Sequence, residues 1–279
     1  STPKPSSAAS DVYKRQLLIY LCLTIILPLG AIFVQVANVN ILKILTSKVI
    51  VRIFKNSITS TLIATTITVI LALVTAWFLS RSKIKYKKVW ITLLTIPMLI
   101  PSISHGTGLV VLFGGNGVLT NFFNLKFNVY GLTGIVLGSI MYSFPVALLM
   151  LVDVFKYEDC SVYTSADVLG IPKLNQLLNI TFPYLKKPLI SVFFTVFSLI
   201  FTDYGVPLMV GGKFMTLPLY MYNEVIGLLD FGKGAVIGLI LMIPAFIAFI
   251  LDILSKDVKG MSFTCLLYTS DAADEGLGV

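Results

Sequence analysis

Charged side chains are scarce in this chain of 279 residues: Asp, Glu, Lys and Arg together make up 12% of it. A soluble domain carries about 25%, so too little polar surface exists here to cover a water-soluble globule. Histidine occurs once and cysteine three times. That excludes a disulfide framework, and one imidazole with no thiol or carboxylate cluster beside it builds no metal site. We therefore expect neither a metal nor a cofactor. Cys22, inside an apolar run, reads as a small buried hydrophobe, and Cys160 falls in a polar loop. Also missing are a Walker-type nucleotide loop, a His-Glu-x-x-His helix, a Gly-x-Ser-x-Gly elbow and a dinucleotide fingerprint. The glycines of Gly114-Gly115-Asn116-Gly117 lack the Lys-Ser/Thr ending of a phosphate loop. Nothing marks the chain as an enzyme, and any ATP-derived energy must be borrowed. The net charge of +8 sits in short loops between apolar runs. There it signals topology rather than a phosphate-binding face, so nucleic acid is not an expected partner.

Both ends read as foreign. Ser1 to Gln16 is STPKPSSAASDVYKRQ and Cys265 to Val279 is CLLYTSDAADEGLGV. One choice of codons for the first stretch gives DNA whose reverse complement, read one base out of frame, encodes the second along its whole length. Two unrelated protein termini would not do this, and the core of that DNA resembles a transposase-type sequencing-library adapter. Residues 1–16 and 265–279 are thus expected to be non-native segments. Residues 17–264 remain as a single transmembrane domain, which the sequencing read can have clipped at either end.

What is present is apolar: hydrophobic residues make up 57% of the chain, and they come in long runs. About 20 residues of helix cross ~30 Å of hydrocarbon, and six runs qualify: Leu17–Val39, Ser57–Ser80, Val89–Phe113, Gly131–Val152, Pro188–Val210 and Gly234–Leu254. The expected fold is all-α, a polytopic bundle of about six transmembrane helices in a lipid bilayer. Pro97, Pro101 and Gly106 predict a kinked or broken third helix, and Asp203, Gly205 and Pro207 make the end of the fifth uncertain. Eleven Lys and Arg fall in the loops of one side (Arg81, Lys83, Lys85, Lys87, Lys88, Lys156, Lys173, Lys186, Lys187, Lys256 and Lys259) and seven on the other. The richer side is expected to be cytoplasmic, with both natural termini inside. Against this stands the cluster Lys43–Lys55, which suggests a short interfacial helix, Ile44–Phe54, on the outer surface.

The longest loop, Asp153 to Lys187, joins spans four and five. It holds Val162, Val168, Leu169, Ile171, Leu174, Leu177, Leu178, Ile180 and Phe182, too many apolar residues for a solvated linker. Glu158–Leu169 can form a short helix that Gly170 stops, and Pro172 suits the first turn of a second one. Pro183 is expected to end that second helix. Two short helices at an angle make a platform for a partner. Small Ala166 and the turn at Gly170 would let another surface come close, with the apolar residues filling a groove in it.

Within this loop, Thr164-Ser165-Ala166-Asp167-Val168-Leu169-Gly170 is followed by Ile180-Thr181-Phe182-Pro183, with Pro183 thirteen residues past Gly170. The run resembles the EAA motif of permeases in binding-protein-dependent ABC importers: Glu-Ala-Ala, three residues, Gly, then hydrophobic-x-hydrophobic-Pro. Ala166 matches the second alanine, and Gly170, Ile180, Phe182 and Pro183 match their positions. Thr164 stands in place of the glutamate and Ser165 in place of the first alanine, so the glutamate's ion pair with a partner is not carried over. Phe201-Thr202-Asp203-Tyr204-Gly205-Val206-Pro207 and Ile96-Pro97-Met98-Leu99-Ile100-Pro101-Ser102 are similar to the branch serving ferric iron, thiamine, polyamines and 2-aminoethylphosphonate.

The resemblance implies a permease of the cell inner membrane that moves a small solute by alternating access. Its implied partners are cytoplasmic ABC ATPase subunits docked on the loop, a second permease domain in a homo- or heterodimer, and an extracytoplasmic solute-binding protein. Two residues are candidates for the substrate path. Asp203 is an acidic residue close to the hydrocarbon; it can meet a cationic substrate, or, as the favoured reading, bond nearby backbone donors at the helix break. His105 can take part in gating or, the favoured reading, in a bond between helices. An ion-driven secondary transporter would show internal repeats and mid-membrane coupling carboxylates, and an intramembrane enzyme would need paired catalytic residues within the spans; neither pattern is evident.

Overall fold

The structure, a computed structural model, describes residues 7–82, 84–124, 128–158 and 161–255. The segment 265–279, read above as non-native, lies outside them, as do Lys83, Lys126, Cys160, Lys256 and Lys259. No strand occurs among the described residues, and the apolar runs fold as helices. Helix α1 (Ser7–Leu21) passes through a π turn, Cys22–Ile26, into α2 (Leu27–Ala37). After α3 (Ile41–Leu45) comes α4 (Lys48–Arg81), then α5 (Lys87–Thr95), a 3-10 turn at Ile96–Leu99, α6 (Ser102–Phe113) and α7 (Val118–Phe123). Next are α8 (Leu132–Lys156), α9 (Ser161–Val168), α10 (Lys173–Gln176), a π turn at Leu177–Thr181, and α11 (Phe182–Phe201). The chain continues through α12 (Gly205–Val210), α13 (Leu217–Tyr222) and a π turn at Asn223–Gly227, to α14 (Phe231–Ser255).

Among the described residues, six stretches are long and apolar enough to span a membrane: Val12–Ala37, Lys48–Arg81, Ser102–Phe123, Leu132–Lys156, Lys173–Phe201 and Phe231–Leu251. The third and fifth differ in register from the runs read in the sequence. As expected, the third run is broken. Pro97 and Pro101 cannot donate to a helical ladder, so α5 ends at Thr95 and a fresh helix starts at Ser102. The fifth run ends earlier than Val210, because the chain leaves the helix at Thr202 and restarts as α12.

Three local expectations are corrected. Pro183 does not end a helix: α10, the π turn and α11 run on continuously from Lys173 to Phe201. The wider π turn directly precedes the proline, where the missing N–H and the ring bulk would disturb a regular α ladder. No separate helix spans Ile44–Phe54. α3 stops at Leu45, and Lys48 already begins α4, whose 34 residues extend ~51 Å at 1.5 Å each and so overrun the hydrocarbon. Cys22 is exposed, not buried, because the first span packs little of its surface against the bundle. Its apolar side chains face outward, as lipid-facing residues do.

The centre of the bundle is the pair α4 and α8. Ala64, Ala72 and Ala76 of α4 are fully buried, and they join Ala147, Leu148 and Leu151 of α8 in one cluster with Val192, Val196 and Ile200 of α11. Small side chains bring the helix backbones close, which is how packing and short polar contacts hold helices together in lipid. The same α4 face carries Ser57, Ser60, Thr61, Thr65 and Thr68, all buried. Their spacing of three or four residues puts them on one stripe. Thr68 Oγ1 lies 3.2 Å from Ser143 Oγ, which donates to the Ser139 carbonyl at 2.7 Å. Towards the other end of α4, Asn56 Nδ2 donates to the Met215 carbonyl (3.1 Å), and Ser57 Oγ accepts from the Leu217 amide (2.6 Å). These contacts satisfy the irregular backbone ahead of α13, which apolar surroundings would otherwise leave unpaired.

The two broken helices meet each other. A Cβ on Gly205, at the start of α12, would come within 2.4 Å of Ser102 Oγ and 2.8 Å of the Ile103 nitrogen, at the start of α6. On Gly106 it would reach Met209 Cβ at 2.8 Å. Only glycine permits this approach.

Candidate functional site

The residues of the motif lie at one end of the bundle, in a loop whose own backbone makes it rigid. α9 ends in Gly170, whose φ of +68° is in the left-handed region that favours glycine. The Gly170 amide donates to the Asp167 carbonyl (3.1 Å) and the Ile171 amide to the Ala166 carbonyl (3.0 Å). This pair of bonds is the Schellman motif, which satisfies carbonyls left open at a helix end. Pro172 then occupies the N-cap position of α10. Across this corner the Asp167 carboxylate accepts from Lys173 Nζ at 2.5 and 2.7 Å and from Gln176 Nε2 at 2.6 Å, while the same amide nitrogen reaches the Ile171 carbonyl (2.9 Å). Hydrogen bonds from Lys173 and then Gln176 hold the Asp167 carboxyl below the usual aspartate value.

The loop is two-faced. Tyr163, Ala166, Gln176 and Thr181 turn inward and are buried. Val168 and Leu169 are 85% and 75% exposed, and Ile171, Leu174, Leu177, Leu178 and Phe182 also stand outside the chain. Thr164, Ser165, Asp167, Gly170, Pro172 and Pro183 lie on the exposed side, and Ile180 is half-buried. The small size of Ala166 thus closes α9 onto its own chain. It does not clear space for another surface, as the sequence reading had it. A Cβ on Gly170 would meet nothing within 4 Å, so the glycine is required by its backbone angle alone within this chain.

Behind the inward face lies a polar cluster that sequence reasoning missed. Arg81, the last residue of α4, donates to Glu158 Oε2 at 2.7 Å, and its guanidinium lies 4.0 Å from the centroid of the Tyr163 ring. The Tyr163 hydroxyl donates to Glu158 Oε1 and lies 2.7 Å from Thr181 Oγ1. Burial, reinforced by the bond to Glu158, pushes the Tyr163 hydroxyl up from its ordinary value. Tyr184 adds a bond from its hydroxyl to the Val154 carbonyl (3.0 Å). The sequence carried no signal for it, since Glu158, Tyr163 and Thr181 are three polar residues among many in this loop and the partners lie 77 and 18 positions distant.

The two substrate-path candidates lie outside this loop, at the breaks of the third and fifth spans. Asp203 accepts from the amides of Gly205 (3.2 Å) and Val206 (3.1 Å). It also lines a small cavity of mixed character, with Ser57, Ser60, Thr61 and Ser139 beside Ile200 and Phe201. His105 is buried; its Nε2 lies 3.2 Å from the Pro97 carbonyl, bridging the break ahead of α6, and its ring is 6.2 Å from that of Tyr142. No group of three or more His, Cys, Asp or Glu that could hold a metal occurs among the described residues.

Six apolar spans among the described residues, with a two-faced loop at one end, make this a multi-pass membrane protein. Residues 64–259 match the model of the binding-protein-dependent transport system inner membrane component family, and the chain belongs to that family. It is thus a multi-pass inner-membrane protein of a family of transport components, not of enzymes. Among curated relatives, it is 25% identical over 242 residues to the putative ferric transport system permease protein FbpB 1 of Haemophilus influenzae, covering 82% of this chain and 38% of that protein. It is 27% identical over 200 residues to the probable sulfate transport system permease protein cysT of Helicosporidium, covering 70% and 74%. The chain spans well under half the length of the two ferric relatives, 38% and 35%. A chain of the bacterial alginate ABC transporter, solved with an alginate pentasaccharide-bound periplasmic protein, has the same fold at 13% identity. The TM-score is 0.73, with 92% of this chain and 97% of that one covered.

Proposed function

We propose that this chain is the membrane-spanning permease of an ATP-driven importer, with the loop of α9 and α10 as the seat of a separate ATPase subunit. The observation that carries the reading is the exposed apolar ridge of Val168, Leu169, Ile171 and Leu174. It stands on a corner fixed by the Schellman bonds and by Asp167. Lys186 and Lys187 fall in sequence between this ridge and the apolar body of α11, which supports a position for the ridge outside the hydrocarbon. Apolar side chains on a pre-ordered helix fit a groove in another protein. The excess of Lys and Arg on this side supports a cytoplasmic location, where ATP is available.

The rest of the assembly follows from the alternating-access logic of such machines. A second permease domain completes the substrate path, and an extracytoplasmic binding protein delivers the solute. ATP-driven closure of the paired ATPase subunits moves the docked loops and shifts the helices between inward-open and outward-open states. The relatives' names point to different solutes (ferric iron and sulfate among them), so the reading stops at a small solute.

The test is capture. Complexes purified through the full chain from its own membranes should contain an ATP-hydrolysing subunit. A Leu169→Glu variant should insert normally yet lose that subunit. A ridge that reacts with an impermeant thiol reagent from outside intact cells, through Leu169→Cys, would sink the proposal.

A further inference from the structure

We propose that Arg81, Glu158, Tyr163 and Thr181 form a clamp that joins the docking loop to two spans, so that movement of α9 is passed directly to α4 and α11. The inference rests on the docking reading above and deepens it: it names the residues through which the docked loop acts.

Each member comes from a different element. Arg81 ends α4, Glu158 follows the last turn of α8, Tyr163 belongs to α9, and Thr181 closes the π turn ahead of α11. Glu158 is the hub. Its side chain is 5% exposed, and its two oxygens are divided between Arg81 (2.7 Å) and the Tyr163 hydroxyl. Tyr163 is the second hub, taking Arg81 against its ring face at 4.0 Å and Thr181 at its hydroxyl at 2.7 Å. Removing Arg81 or Tyr163 leaves an oxygen of the buried Glu158 side chain without that partner, which is costly. The four groups therefore keep their arrangement together. The ridge itself is joined to α11 through α10, which runs on into it; the clamp adds a link from α9 to the ends of α4 and α8. A buried ion pair is weak evidence for net stability. Its consequence here is geometric, since it fixes α9 against the ends of α4 and α8 while Thr181 ties in the long helix.

The clamp also explains the inward turn of Ala166. It and Tyr163 are three apart on α9, hence on one face, and a small residue beside the ring lets the helix sit down on the cluster. Arg81, Glu158 and Tyr163 are positioning residues: none touches solute or nucleotide.

The experiment uses the complete transporter in proteoliposomes, reading ATPase subunits retained, ATP hydrolysed and solute taken up. The variant is the double change Arg81→Met with Glu158→Gln, which removes both charges and leaves no bare ion behind. Expected are unchanged ATPase retention and a fall of roughly two- to thirtyfold in solute moved per ATP, the range over which such couplings vary. Unchanged uptake per ATP overturns the clamp. Loss of the ATPase subunits from the variant also overturns it, since the cluster would then serve docking alone. If the double variant is not recovered from membranes, Tyr163→Phe decides the matter. It keeps the ion pair and the ring and removes the bonds to Glu158 and Thr181, and a wild-type ratio there refutes the proposal. A wild-type complex that carries no ATPase at all refutes the docking reading instead, so the two failures are distinct.

Discussion

The sharpest prediction concerns Gly170, because two explanations of the residue order its substitutions oppositely. If the glycine is there for its φ of +68°, any L-residue costs roughly 1–2 kcal/mol in the left-handed region. Asparagine, which visits that region more readily, costs less. A β-branched residue would abandon the angle and open the bonds Gly170 N–H to Asp167 and Ile171 N–H to Ala166, losing about 0.5–1.5 kcal/mol each. A corner destabilised by 1–2 kcal/mol is populated in its docking form about 5–30 times less. If instead the glycine is there so that a partner can press against it, size decides. Asparagine is then worse than alanine. No atom of this chain lies within 4 Å of the Cβ position, so the two cases separate cleanly. We expect solute uptake in the order Gly, Asn, Ala, Val, with membrane insertion unchanged throughout, measured in proteoliposomes at equal ATPase content. An alanine variant that outperforms asparagine would refute the backbone argument and restore the close-approach one.

Further expectations concern the break in the fifth span and the loop's electrostatics. Asp203→Ala removes acceptors for two amides and should lower stability by about 0.5–2 kcal/mol. Asp203→Asn keeps one acceptor and should recover most of it, as read by thermal unfolding in detergent. Gly205→Val drives a side chain into the Ile103 backbone, and overpacking by about 1–3 kcal/mol should appear as a lower melting temperature without any change at the docking loop. Lys173 holds the Asp167 carboxyl below the usual aspartate value of 3.8. A depressed folded-state value means the bond's contribution is complete above that ordinary value and disappears only as pH falls through the lower one. ATPase retention should therefore be flat from about pH 8 to 5, and an acid-induced loss in that range would count against the role given to Asp167.

What could be read from the sequence was what local rules control. Six spans follow from the apolar runs, and the break at Pro97 and Pro101 follows from the missing N–H groups. The stop at Gly170 follows from a turn that only glycine accepts easily. Failures came where a local rule met its context. Pro183 looked like a terminator, yet a π turn placed just before it lets the helix run on. Lys43–Lys55 looked like one interfacial helix, yet its second half is the entry to α4. Cys22 is apolar in its surroundings, but apolar surroundings in a membrane include lipid, and burial cannot be told from lipid exposure by composition. The clamp was invisible for a deeper reason. Arg81 counted only as one more cation on the basic side, and Glu158 as a loop residue. Their pairing depends on α4 and α8 lying side by side, which is helped by Ala64, Ala72 and Ala76, from between one and two to nearly five turns away.

α4 and α8 are the two long unbroken helices at the centre, tied by small residues and by the Thr68–Ser143 contact. The breaks fall instead in the third and fifth spans, where α6 and α12 meet through Gly106 and Gly205. A rigid pair transmits displacement, whereas a broken pair held by glycine contacts and a few hydrogen bonds has joints at which to bend. The clamp grips the rigid pair at its end, and through Thr181 it also grips the helix that leads to the fifth-span break. A push on α9 thus reaches α4, which holds no proline or break, and a helix that ends at the Thr202-Asp203 break. Relative motion should concentrate at that break. Spin labels at Ile200 and Leu208, on either side of it, should change separation during the ATP cycle, while labels at Thr75 and Leu149 should not. Equal changes at both pairs would mean that the bundle bends as a whole, and the distinction between rigid and jointed spans would fail.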